Sequence, residues 1–309
     1  MSDKYLKRGW IWIGRRVGTW YLLTFLVSLL FIDYVQLRDH VRAKTLSRLM
    51  PESFDYLIDF AQNKRELDQE KLQQYEYYYE KVVDFIPIYR GDAYEILGFC
   101  HYHLGEYRES LMDYIKASRI NPHFFWPHYN LGVIYFKRGY YSKASSAFET
   151  ALATKLEDNF DVINTSKLFN PILMSSHPFT SATMLRLKTA YRDSHVLLIL
   201  SYYYLNDFPK MFQQASSAIA ASLDEDGRFY YYAGLAAYHM KRYKEAVYFF
   251  QTYTGMNTDF ANAFYYLGIS LKALGNEELS AKALGRAKLL RLTDRSEILM
   301  AGDVNLQMF

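Results

Sequence analysis

GDAYEILGFCHYHLGEYRESLMDYIKASRINP, Gly91 to Pro122, is the stretch that decides the fold, because the positions that fix its shape recur downstream at a constant offset. Gly98 returns as Gly132, 34 residues on. Gly234 and Gly268 repeat that spacing, and three such periods separate Gly132 from Gly234. A period of this length marks a stack of small helical units, each needing its neighbours to bury an apolar face, and not a single globular core.

Within the first unit the recurring positions are Tyr94, Leu97-Gly98, Ser110, Tyr114, Ala117 and Pro122. From Phe125 they hold His128, Leu131-Gly132, Tyr135, Ala144, Phe148 and Ala151. From Gly227 they hold Tyr230, Ala233-Gly234, Ala246 and Phe250, with Tyr253 in place of the second small residue. From Ala261 they hold Phe264, Leu267-Gly268, Ser280, Leu284 and Ala287. Glycine lets two helices of a hairpin approach closely, large residues fill the space beside that contact, and Pro122 cannot continue a helix. The pattern resembles the tetratricopeptide repeat (TPR), a helix-turn-helix unit. That resemblance implies an all-α chain, a TPR-type superhelical solenoid, with one pair of repeats over 91–155 and another over 227–291.

The 309 residues carry a net charge of +3 and one cysteine, Cys100, so no disulfide can form within the chain. The charge is local. Residues 1–50 hold nine Lys/Arg against three acids, a balance of +6, which leaves −3 for the rest. The basic residues flank an apolar run from Val17 to Ile32, and residues 17–35 are long enough to cross a bilayer core as one helix. Trp10, Trp12 and Trp20 suit the membrane interface. A cleaved signal peptide is the rival reading, but no small-x-small cleavage site follows the run. The chain then begins with a basic flank, 1–16, followed by a transmembrane helix, 17–35, and a juxtamembrane linker or helix, 36–51. Five basic residues before the span and four after it lean toward a cytoplasmic N-terminus and a solenoid on the other side.

Residues 52–90 read as a degenerate first repeat. Its last helix places Tyr75, Tyr79 and Val82 on one face, and Pro87 closes it. Residues 156–193 contain Pro171 and Pro178 among Ser, Thr and Asn and read as irregular. The recovered phase at Gly234 leaves room for two degenerate units there, of which one is the hairpin within 194–226 that lacks the glycine. Residues 292–309 form a C-terminal tail that caps the last apolar face.

Chemistry-bearing motifs are scarce. Gly9 and Gly14 have phosphate-loop spacing, but Arg15-Arg16 stands where Lys-Ser/Thr is needed. His101 and His103 beside Cys100 suggest a metal, yet residues two apart on a helix face different ways. The expectation is therefore a non-enzymatic protein with no catalytic residues, cofactor, metal or nucleic-acid partner. In TPR solenoids the first helix of each unit lines a concave groove. The resemblance puts Phe99, Tyr102, Trp126, Tyr129, Asn130, Phe136, Tyr231, Tyr232, Tyr238, Tyr265 and Tyr266 at such positions. Tyrosine, with 30 copies, supplies many of these rings, and aromatic groups with a polar tip are the usual make-up of binding hot spots. The same rings could instead pack between helices. Chaperone-binding relatives hold a peptide carboxylate with Lys, Arg and Asn. Asn130 fits that pattern, while Glu95 and Phe99 stand where a Lys and an Asn belong. The function implied is a membrane-anchored scaffold that binds a protein partner through the groove and the bilayer through the N-terminal helix. The alternative is a glycan-binding solenoid in an envelope compartment.

Overall fold

The computed structural model describes residues 20–21, 23–28, 30, 67–85, 90–154, 179–223 and 226–290, and the chain divides into two compact units, 1–64 and 65–309. In the first unit the described residues between Trp20 and Leu30 are helical. Their hydroxyls fold back onto the helix, Thr24 Oγ1 donating to Trp20 O at 3.0 Å and Ser28 Oγ to Thr24 O at 2.8 Å. Among the described residues no helix is long and apolar enough to cross a membrane. Both ends of the expected span, the flank 1–16, the linker 36–51 and the tail 292–309 lie outside the described residues.

The second unit contains, among its described residues, eleven helices and no strand. They are α1 (Gln69–Phe85), α2 (Arg90–Leu104), α3 (Tyr107–Ile120), α4 (Phe125–Lys137), α5 (Tyr141–Ala153), α6 (Phe179–Tyr204), α7 (Phe208–Ala220), α8 (Arg228–His239), α9 (Tyr243–Met256), α10 (Ala261–Ala273) and α11 (Glu277–Leu289). Each helix packs on the one before and the one after, and the first helices of successive hairpins also touch, α4 with α6, α6 with α8 and α8 with α10. Contacts run along one dimension, as a solenoid requires.

The two helices of a hairpin are buried differently. In α4, residues 125–127 and 129–134 are all buried, so the helix is enclosed nearly all round. In α5 only the stripe Ala144, Ser145, Phe148 and Ala151 is buried. The closest approach is at the glycine. A Cβ on Gly132 would sit 2.5 Å from Phe148, and one on Gly98 would sit 2.9 Å from Tyr114, distances no packed carbon tolerates. Where the small residue twelve positions later is serine, it adds a hydrogen bond: Ser110 Oγ donates to Gly98 O at 2.6 Å and Ser280 Oγ to Gly268 O at 2.8 Å.

The turn that joins the two helices is the same in all five described hairpins. Seven residues after the glycine position stand Gly105, Gly139, Asn206, Lys241 and Gly275, all left-handed, with φ between 57° and 87°. Each donates to the carbonyl three residues back, and the next residue donates five back, as Glu106 does to His101 O at 2.7 Å. These two bonds satisfy carbonyls that the helix end leaves unpaired. The turn fixes the register of the hairpin that lacks a glycine: counting back from Asn206 places Ile199 in the glycine position.

Two expectations are corrected here. The segment 156–193 is not irregular throughout, because α6 begins at Phe179 and runs 26 residues, about twice the length of the other first helices. One described hairpin, α6 with α7, stands where two degenerate units had room, and α5 packs directly on α6. Residues 155–178 lie outside the described residues.

Candidate functional site

Most of the rings expected in the concave groove are core residues. Tyr129, Asn130, Tyr231 and Tyr232 are fully buried, and Phe99, Trp126 and Tyr266 are nearly so. The physical reason is the helix period. Residues three apart share a face, so Tyr129 lies on the Gly132 face and Tyr231 on the Gly234 face, against the second helix of the hairpin. Tyr129 meets Phe148 edge-on at 6.2 Å and stacks on Phe125 at 5.6 Å. Tyr231 meets Phe250 at 5.8 Å and Tyr253 at 5.4 Å, and Tyr266 stacks on Phe250 at 6.0 Å. Burial pushes the Tyr129 and Tyr232 phenols well up, so neither ionises as an accessible group. Asn130 donates to Glu95 across the repeat boundary at 3.4 Å, and both are buried. The carboxylate-holding role is closed to it.

The remaining expected rings, Tyr102, Phe136 and Tyr238, are half-buried, and Tyr265 in the last described hairpin is exposed. The first three belong to a ladder along the edge of the solenoid where the hairpin turns lie. Four residues after the glycine position stand Tyr102, Phe136, Tyr203 and Tyr238. Each meets the ring that opens the second helix of its own hairpin, Tyr107, Tyr141, Phe208 or Tyr243, at 5.3 to 6.4 Å. In the last three of these hairpins the next position along the first helix reaches the pair of the hairpin before it. Lys137 Nζ donates to Tyr102 OH at 3.3 Å, Tyr204 stacks on Tyr141 at 4.3 Å, and His239 stacks on Phe208 at 4.3 Å with 8° between the planes. Arg138 lies over the Tyr107 ring at 5.3 Å.

The ladder spans four hairpins with ring faces and polar tips in partial contact with solvent: Tyr107 is 46% exposed and Tyr204 39%. Such rings offer large contact area at small entropic cost, and the stack beneath holds them in place before anything binds. The sequence reading missed Tyr107, Tyr141, Tyr203, Tyr204, Phe208 and Tyr243. The signal was present: an aromatic nine residues after the glycine position in four successive hairpins, next to the turn.

Comparison with known proteins agrees with this geometry. A family model described as TPR repeat matches residues 101–139, and another described as tetratricopeptide repeat matches residues 127–157. The chain carries tetratricopeptide repeats. A comparison with curated protein sequences finds no match. Among solved structures, the TPR protein YrrB, which has an unusual peptide-binding site, superposes with a TM-score of 0.51 at 17% identity, over 70% of this chain and 93% of its own. The crystal structure of MamA gives 0.48 at 15% identity, over 65% of this chain and 92% of its own. MamA from residue 41 to its end, from Desulfovibrio magneticus RS-1, gives 0.47 at 14% identity, over 67% and 98%. At these identities the likeness to YrrB establishes the TPR-like solenoid and nothing about ligands.

Proposed function

We propose that this chain is a membrane-anchored TPR scaffold that captures an apolar segment of a protein partner and holds it at the membrane as an assembly or structural subunit of a larger complex. The observation that carries the reading is the half-exposed aromatic ladder, pre-stacked on a rigid repeat scaffold. A few such rings commonly supply most of an interface's energy. YrrB, which shares the fold, has a peptide-binding site. The reading is of a non-enzymatic scaffold, in keeping with a sequence that carries neither His-Glu-x-x-His nor Gly-x-Ser-x-Gly.

The anchor is supported by sequence length and by exposure. Trp20, Tyr21, Leu23, Phe25, Leu26, Val27 and Leu30 are each between 48% and 73% exposed on a helical segment, so these apolar side chains have lipid to gain and no protein cover to lose. Five basic residues before the apolar run against four after it lean toward a solenoid on the extracytoplasmic side.

Replacing Tyr107, Tyr204 and Tyr238 together with Ala removes edge contacts but no fully buried ring, so the chain should stay folded with a lowered melting temperature. It should cut recovery of crosslinked protein partners from detergent-solubilised membranes at least tenfold. Undiminished recovery would remove the ladder as the binding site. Capture of a polysaccharide in place of a protein would favour the glycan-binding alternative. The full chain should resist carbonate and yield only to detergent; release by salt alone would mean that charge attaches it and not a spanning helix.

A further inference from the structure

His101 lies apart from the aromatic ladder, among three carboxylates supplied by three different parts of the fold. Its ring is 8% exposed. On one side Nδ1 is 2.7 Å from Oδ2 of Asp113 in α3, a buried carboxylate whose other oxygen accepts from Lys116 Nζ at 3.0 Å. On the other side Nε2 faces Oε1 of Glu76 in α1 at 3.2 Å and Oε2 of Glu106, in the turn between α2 and α3, at 3.7 Å. One donor atom from each of Glu76, His101 and Glu106 lies within 4.8 Å of the others.

The arrangement suits an ion-paired imidazolium and, once Nε2 gives up its proton, a metal-binding imidazole. A carboxylate that accepts from Nδ1–H fixes the tautomer and turns the Nε2 lone pair outward, raising its basicity. Ligands about 2.0–2.2 Å from a tetrahedral ion stand roughly 3.3–3.6 Å apart, close to the two separations at Nε2. Glu106 is about half exposed, so the Nε2 side of the cluster is open to solvent at the turn.

We infer that Glu76, His101 and Glu106 bind a divalent first-row transition-metal ion, with Asp113 as the positioning residue for His101 and a fourth coordination position open to solvent. One imidazole and two carboxylates suit Zn²⁺ best among the biologically abundant ions that accept four ligands. The ion would staple α1 to the first complete hairpin, adding coordination to the ion pair and hydrogen bonds that already join these elements. Cys100 and His103, the sequence neighbours of His101, take no part. The Cys100 thiol is buried and its pKa is pushed far up, and His103 packs tilted against Phe99 at 4.3 Å.

The test is calorimetric titration of the full chain in detergent with Zn²⁺, after stripping with EDTA, together with thermal melting. One equivalent should bind with micromolar or tighter affinity and raise the melting temperature reversibly. Glu106→Gln changes an exposed turn residue and should leave the metal-free melt unchanged while weakening binding at least tenfold. Glu76→Gln, which also removes the Glu76–His101 ion pair and should lower the metal-free melt slightly, should weaken binding at least tenfold, and Asp113→Asn about 10- to 100-fold. Co²⁺ in place of Zn²⁺ should give visible absorption of four-coordinate intensity that Glu106→Gln abolishes. Absence of binding by the parent chain, or binding that survives both glutamate substitutions, would overturn the assignment; the second result would place the ion elsewhere, and the first would leave His101 as an ion-paired core histidine.

Discussion

The hairpin of α4 and α5 and the hairpin of α6 and α7 carry one contact with its volumes exchanged. In the first, Gly132 faces Phe148 with Ala144 beside them. In the second, the same three positions hold Ile199, Ala215 and Met211, all fully buried. The large residue has crossed from the second helix to the first, and the small residue has moved the other way. What the two hairpins share is the space between the helices, which must be filled to the density of the rest of the core whichever helix supplies the atoms. The repeat is therefore a constraint on summed volume and turn geometry before it is a constraint on residue identity.

The comparison breaks most visibly at Phe148. Phe148→Ala empties the space beside Gly132 and should cost about 3–5 kcal/mol, read from denaturant unfolding of the chain. Gly132→Ile alone drives a side chain into Phe148 and should cost about 1–3 kcal/mol. If volume is the shared quantity, the double variant, which copies two of the three exchanged positions and keeps Ala144 where the α6–α7 hairpin has Met211, is more stable than the sum of the two losses predicts. Additive losses would show that the exchanged pattern depends on its own neighbours and cannot be transplanted.

A second contrast is the pH response of the α6–α7 hairpin. His195 is buried beside Tyr191, Phe229 and the Gln214 amide, and burial holds its pKa down at about 4 against the ordinary 6.5. The unfolded chain takes up this proton first, so the stability His195 supports is complete above about pH 6.5 and falls as pH drops toward 4. The shift corresponds to about 3 kcal/mol at the acid end. His195→Gln should flatten that limb of the stability profile; an unchanged acid limb would assign it to other groups.

The smallest effects belong to the turns. Gly139 has φ 76° with open space around its α-carbon, so Gly139→Ala meets no clash and pays only for the left-handed backbone, on the order of 1 kcal/mol. Lys241 occupies the same position at φ 61°. Lys241→Gly should raise stability by about 0.5–1 kcal/mol, measured as a shift in the melting temperature. A loss would mean that the Lys241 side chain makes up for its backbone strain.

The legible and illegible parts of this chain divide along the same physical lines. Gly98, Gly132, Gly234 and Gly268 stood out because glycine is the residue whose absence of a side chain cannot be imitated, and a 34-residue recurrence of it marks hairpins. The α6–α7 hairpin was visible only as a hairpin, since Ile199 with Ala215 spells the contact in residues that are common in any buried helix. Its register could have been found from Asn206, which tolerates the left-handed turn, followed by Phe208. The groove was misread for a related reason. α4 and α8 are apolar nearly all round, so a 3.6-residue period cannot say which rings face the neighbouring helix and which face out. The edge ladder was readable in principle through the aromatic nine residues past each glycine. The His101 cluster was not, because Glu76 is 25 residues away and on another helix.

The sequence by itself determined the helical repeat, the positions of close helix contact and the location of the basic, apolar N-terminal segment, because glycine spacing, chain breakers and runs of one polarity act locally or at a fixed period. Only the tertiary structure decided which tyrosines are core and which form an accessible edge, that α6 stacks directly on α5, and that Glu76 meets His101 and Glu106. Those depend on which helix lies against which, and a residue's burial is set by neighbours that the period of its own helix does not name.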